Sequence, residues 1–360
     1  MNHKNVVVIG GGPAGMEASS ILHRMGNNVI LVERCDKLGG HLAKWDRLFP
    51  QGVKAMDVLT PLMENLSGVN YFLNTEINSI NRLEKQYNVI LSNGVAMLAD
   101  SILFTTGFDL FKAEKKEEYG YGIYNRVITN ADLENYFKTG SDKRIEPPQR
   151  IGFVHCVGSR DEKAGNRHCS KVCCATAVKQ ACEIKEKFPN AEVICFYMDL
   201  RMFGRGYEDL YLKAQKEFGI RFIRGRVSEV AENIEHKLIV KAEDTLSAKP
   251  LKVTLDLLVL MSGMCNSVSG KETASLIGLL PADDGFFETK DSIAGTINSS
   301  KDGIFYAGAA TGPKTLPETL NEARAAALSI NNYLNAKYDE SVWLFSLSCV
   351  CNKLRQGRQN

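Results

Sequence analysis

Four of the ten cysteines crowd into residues 156–174: Cys156, Cys169, Cys173 and Cys174. Thiolates are soft ligands, and four of them suit a metal or iron–sulfur centre. Cys169 and Cys173 are four residues apart, a spacing that shares one face of a helix. Cys174 follows about 100° round, and Cys156 leaves the strand before it. A helix N-terminus favours thiolates placed there. Buried free thiols and a zinc site remain alternative readings of the same residues. No Cys-x-x-Cys occurs anywhere, which argues against a redox disulfide of that kind.

A second constellation opens the chain. Gly10, Gly12 and Gly15, with Pro13 and Ala14 between them, fit G-x-G-x-x-G. The first glycine permits a tight turn, the second lets backbone amides approach a pyrophosphate, and the third lets helix and strand pack closely. The helix behind the loop offers free N–H groups to the phosphates. Glu33 ends the next apolar segment, where its carboxylate can accept from both ribose hydroxyls, and Arg34 follows it. Gly39 and Gly40 resemble the second glycine site of two-domain FAD enzymes. Thr105, Thr106 and Gly107 resemble their Ala-Thr-Gly strand end, and Gly303 to Ala309 their late strand. Together these favour FAD over NAD. Ala309 stands where many such enzymes carry Asp, so backbone amides of Gly308 to Ala310 must make that contact. A helix starting near Thr315 and Leu316 aims its N-terminus at the flavin.

The elements that must position these groups form two α/β blocks. The pattern predicts strand, glycine turn, helix over residues 16–25 and strand again, a βαβ unit. Short strands follow at 69–73, 76–81 and 87–92, then one from Ser101 to Gly107 and a helix over 132–138. Residues 139–149 are polar with two prolines, a domain junction. The second block predicts a strand from Ile151, a helix over 170–187, a strand from Glu192, a helix over 207–218, and strands near 221, 237 and 257. The expected domains are 1–112 with 285–338, 113–284, and a tail over 339–360. The second block has no glycine loop of its own, since residues 155–160 stand there instead.

At residues 156–160, 168–174 and 177–179 the sequence resembles the FAD/iron–sulfur subunits of heterodisulfide reductases, with their relatives in quinone-interacting and sulfur-oxidation complexes. Residues 115–129, 203–209, 222–227 and 312–319 carry the same resemblance, which spans 5 to about 335. It implies a thioredoxin-reductase-like two-domain α/β flavoprotein with bound FAD and one 4Fe–4S cluster. It implies that Cys156, Cys169, Cys173 and Cys174 hold the cluster. It also implies that Lys179 lies near flavin N5, where an ammonium stabilises reduced flavin. Implied partners are the other subunits of such a complex, iron–sulfur and disulfide- or thiol-handling, with a homodimer as a further assembly and membrane contact only through partners. The ferredoxin-type insertions of larger members and their cysteines after the Gly-Gly segment are missing here, so the implied relay is one flavin and one cluster.

Composition limits the remaining choices. Lys plus Arg is 44 and Asp plus Glu is 42, a net charge of +2, which argues against a nucleic-acid partner. No apolar run reaches the ~18–20 residues of a membrane helix. Val6–Ile9 runs straight into the glycine loop, unlike a signal peptide. A chain of 360 residues can bury a core without disulfides, so the cysteines point to a reducing compartment, the cytoplasm. Cys35, Cys182, Cys195 and Cys265 read as core thiols, His155 and His168 as neighbours that tune the cluster or simply pack, and Cys349 and Cys351 as part of the tail. The expected activity is FAD-dependent electron transfer within a complex. The rivals are a free-standing NAD(P)H-dependent flavin disulfide reductase and a scaffold that keeps FAD only structurally.

Overall fold

The computed structural model describes residues 4–356, with side chains through residue 337. The apolar run after Lys4 becomes strand Asn5–Ile9, and Val6, Val7 and Val8 are fully buried. It is central in a parallel five-stranded sheet, ordered Ile304–Tyr306, Ser101–Phe104, Asn5–Ile9, Asn28–Val32, Asn70–Phe72. Strands buried on both faces read as continuous apolar runs, as Asn5–Ile9 and Ser101–Phe104 do, whereas the edge strand Asn70–Phe72 is mostly exposed. Among the described residues seven α-helices punctuate the chain: α1 (Pro13–Arg24), α2 (Ala55–Glu64), α3 (Asn130–Thr139), α4 (Cys173–Lys187), α5 (Tyr207–Lys216), α6 (Val268–Ser275) and α7 (Leu316–Gln356). Helix α7 lays Ala323, Ala326, Ala327 and Ile330 onto the first core with Leu22 and Leu31. That i, i+3, i+4, i+7 stripe is what a helix needs to cover a sheet. Burying each large apolar side chain contributes roughly 1.5–3 kcal/mol. A three-stranded antiparallel layer over Ile77–Leu83, Gln86–Leu91 and Ala96–Ala99 closes the other face.

The second block is also a parallel five-stranded sheet, ordered Val127–Thr129, Leu257–Ser262, Arg150–Val157, Glu192–Tyr197, Arg221–Arg224. Every residue of Leu257–Ser262 is buried. Its register against Arg150–Val157 shifts between Val154 and Val157, so the sheet is irregular where His155 and Cys156 leave it. Strands Phe108–Leu110 and Met264–Asn266 pair antiparallel and join the two blocks. The expected two-block α/β architecture is present. The return to the first block falls near residue 266 rather than 284, because Ala274, Leu279 and Phe287 pack in the core with Val7, Ile9 and Phe104. The last helix also runs on to Gln356, through most of the expected tail over 339–360. The side chains of Cys349 and Cys351 lie outside those described. Among the described residues, no helix is long and apolar enough to cross a membrane.

Candidate cofactor site

The glycine loop connects Asn5–Ile9 to α1. Gly10 has φ +109°, and a Cβ there would stand 2.5 Å from the Thr105 carbonyl oxygen. A Cβ on Gly15 would meet the Gly10 carbonyl oxygen at 1.9 Å, so the third glycine is a packing requirement. Gly12 differs, because a Cβ on it meets nothing within 4 Å. It faces a cavity of about 510 Å³ whose walls include Gly10, Gly12, Pro13, Ala14, Glu33, Arg34, Gly40, Thr106, Gly107, Ala309 and Leu316. Gly15, Gly39 and Gly308 stand behind that wall: the Gly39 N–H donates to the Gly11 carbonyl at 2.8 Å, and Gly308 packs on Ala14. The Glu33 carboxylate is buried and accepts from the N–H groups of Gly11 (2.6 Å) and Cys35 (2.8 Å). Arg34 donates to Ser269 Oγ at 2.6 Å. Thr106 Oγ1 is buried without a partner on the same wall. An open glycine, an orphaned hydroxyl and a carboxylate below the loop fit the adenosine and pyrophosphate of a dinucleotide.

A second cavity, about 390 Å³, lies between the two blocks. It shares Trp45, Phe108, Lys314 and Leu316 with the first, so the two adjoin. Helix α4 runs along it and presents Cys173, Thr176 and Lys179 to it, three residues apart each time and hence on one face. Lys179 is not a solvated surface lysine. It is buried, contacts Glu134 Oε1, lies 3.3 Å from Glu183 Oε2 and donates to the Arg47 carbonyl at 3.0 Å. Burial pushes the Glu183 carboxyl up to about 7; Lys179 opposes this and Glu134 adds to it. Thr315 and Leu316 line this cavity at the start of α7. The dipole there is partly met within the helix, since Glu318 Oε2 accepts from the Thr315 N–H at 2.9 Å. Lys314, Trp45 and His41 were missed by reasoning from sequence. Lys314 lies within the 312–319 segment, but nothing in that segment gives it a role, and nothing local marks Trp45 or His41 as cavity walls.

The four cysteines come together from three pieces of chain. Helix α4 begins at Cys173, not at 170, because Lys171 has φ +60°, a left-handed conformation that no α-helix continues. Cys169 therefore sits on the preceding loop rather than on a helix face with Cys173, which corrects the spacing argument. Cys156 is left-handed too, at φ +59°. Such outliers concentrate at functional sites. Burial raises the Cys156 thiol to about 11, with Cys174 and Cys169 adding to it, and holds Cys173 well above the ordinary range. Desolvation is thus the largest influence on these thiols, and a bound cation would invert that order. His155, both ring nitrogens unpartnered, is pushed down to about 4 by burial; Arg160 Nη1 and His168 Nδ1 are also unpartnered. Among the described residues, no three His, Cys, Asp or Glu side chains converge as a single bound ion requires. The four thiols stand close enough to influence one another without closing on a single ion, and four neighbouring thiols fit the ligand set of a four-iron cluster. Cys182 and Cys195 are buried as expected, whereas Cys35 is exposed at the edge of the first cavity.

The chain is similar to several known proteins. The pattern of the pyridine nucleotide-disulphide oxidoreductase family matches residues 1–139. The chain is 32% identical to an H(2)/formate:CoB-CoM heterodisulfide,ferredoxin reductase subunit of Methanococcus maripaludis, over 91% of this chain and 64% of that one. It is 31% identical to a CoB--CoM heterodisulfide reductase iron-sulfur subunit of Methanocaldococcus jannaschii, again over 91% and 64%. The chain thus spans just under two thirds of the length of these relatives. The first alignment runs over 418 positions, more than this chain contains, so the relative carries inserted segments. Among solved structures, thioredoxin reductase of Lactococcus lactis matches with a TM-score of 0.65 and 19% identity, over 92% of this chain and 99% of that one. The fold is therefore the two-domain α/β fold of thioredoxin reductases.

Proposed function

Because the chain is a relative of these heterodisulfide reductase subunits, we propose that it is an FAD-dependent oxidoreductase subunit that passes electrons between FAD and a 4Fe–4S cluster. The observation that carries this reading is the course of α4. Its first residues are Cys173 and Cys174, and its next turns line the second cavity, which adjoins the one lined by the glycine loop. A cluster held there stands beside whatever occupies the cavity.

FAD would lie with its adenosine and pyrophosphate against Gly10 to Gly15 and Glu33, and its ring between the blocks. Cys156, Cys169, Cys173 and Cys174 would hold the cluster. When bound, the flavin exchanges electrons in pairs and the cluster one at a time, which is the chemical reason to place them together. The chain's own residues bind and orient. Gly12 leaves room for phosphates, Glu33 holds the loop from below and leaves lone pairs for the ribose, and the two sheets exclude water from the seam. Lys179 and Glu134 set an ion pair on the wall of the second cavity. The partners in this reading are other subunits of a heterodisulfide-reductase-like complex in the cytoplasm, with iron–sulfur and thiol or disulfide chemistry.

The test is anaerobic purification of the whole chain with measurement of flavin and iron. One FAD and about four iron atoms per chain are expected. Flavin alone, with no iron after anaerobic reconstitution, overturns the cluster.

A further inference from the structure

We propose that Lys314, and not Lys179, supplies the positive charge that stabilises reduced, anionic flavin in this protein. The proposal rests on the reading that FAD fills the two adjoining cavities. Four residues line both cavities, and of Trp45, Phe108, Lys314 and Leu316 only Lys314 carries a charge. A ligand that passes from one cavity to the other passes this side chain.

The two lysines differ in where their counter-charges lie. Lys179 meets two carboxylates, Glu134 and Glu183, and Glu134 lines the inter-domain cavity beside it. With both carboxylates ionised that group carries a net negative charge, and with one protonated it is neutral. It offers no excess positive charge to an anion. Lys314 meets one carboxylate, Glu322, at 3.4 Å. Glu322 lines neither cavity and also accepts from the Gly308 N–H at 3.0 Å. The Lys314 side chain thus lines both cavities, while its counter-ion stands on a residue that lines neither. Lys314 also donates to the Gly308 carbonyl at 3.1 Å and to Thr311 Oγ1 at 2.7 Å, which holds it in place.

Other charges nearby do not take this role. Arg47 and Arg324 on the inter-domain cavity are more exposed and paired with Glu186 and Glu17. Glu318 is engaged by Lys171 and Thr315. Burial draws the Lys314 ammonium below its ordinary range, and Glu322 only partly opposes this. An anion brought beside a desolvated cation gains more than it would in water.

The experiment uses the whole chain loaded with FAD under anaerobic conditions. Sulfite is the probe, because its addition to oxidised flavin leaves a negative charge on the ring, as reduction does. Sulfite affinity and the flavin midpoint potential are measured together. Lys314→Met is expected to weaken sulfite binding tenfold or more and lower the potential, Lys314→Arg to restore both largely, and Lys179→Met to change sulfite binding less than threefold. Glu322→Gln keeps the Lys314 charge and is expected to tighten sulfite binding several-fold, which decides the matter if Lys314→Met loses its flavin. Unchanged sulfite binding in Lys314→Met and Glu322→Gln, or a tenfold loss in Lys179→Met, overturns the proposal while leaving FAD binding standing. Wild-type chain that takes up no FAD overturns both.

Discussion

Glu183 is buried beside Lys179, and its carboxyl is pushed up to about 7 by that burial. A carboxyl whose folded pKa exceeds its unfolded one binds protons more tightly in the folded state, so stability falls as pH rises between the two values. Here the window runs from about 4.5 to about 7. At ~1.4 kcal/mol per unit the loss approaches roughly 3 kcal/mol. Glu183→Gln removes the ionisation, so its stability should fall less than that of wild type between pH 5 and pH 8. Urea unfolding at the two pH values measures this, and equal losses in both proteins would show that Glu183 does not titrate there. At the cysteines, Cys173→Ser should abolish iron incorporation while Cys265→Ser leaves it intact, read by iron analysis of anaerobically reconstituted protein. Iron retained by Cys173→Ser would remove that residue from the ligand set.

The glycine loop separates packing from binding within one turn of chain. Gly15→Ala would place a methyl 1.9 Å from the Gly10 carbonyl oxygen, and overpacking of this kind costs about 1–3 kcal/mol or more. Its melting temperature should fall. Gly12→Val meets open space and should keep the melting temperature of the cofactor-free chain, while FAD retention drops because the side chain enters the cavity. Two variants that lost stability equally would contradict this division. The helix around the cysteines teaches the converse. A spacing of four suggests that Cys169 and Cys173 share a helix face, yet the left-handed Lys171 starts the helix at Cys173. Nothing in the local sequence announces that conformation. It accompanies tertiary contacts, since Ser170 Oγ accepts from the Met264 N–H at 2.8 Å.

For the molecule as a whole, the prediction concerns nucleotide use. Residues 155–160 stand where a second phosphate loop would sit, and they hold a left-handed cysteine and a buried histidine instead. The isolated, FAD-loaded chain should therefore not be reduced by NADH or NADPH at a useful rate. Fast bleaching of the flavin by either nucleotide, without partner proteins, would favour the free-standing reductase. Glu33→Lys should weaken FAD retention, because the carboxylate both anchors the Gly11 and Cys35 amides and faces the cavity. Equilibrium dialysis with FAD measures it.

Local chemistry was enough to determine the βαβ unit, the glycine loop, Glu33 and the grouping of the four cysteines, because turns, strand periodicity and soft donors act over a few neighbouring residues. Only the tertiary structure decided what depends on segments far apart in the chain. Residues 266–284, expected in the second block, pack into the first core through Ala274 and Leu279. Lys179, expected from the resemblance to lie near flavin N5, acquires its partner Glu134 from α3, 45 residues away, and Glu183 beside it. Lys314 becomes the charge between two cavities because the strand Ile304–Tyr306 and helix α7 deliver it there. A charge's effect is set by what surrounds it in space, and that neighbourhood exists only once the two sheets have packed.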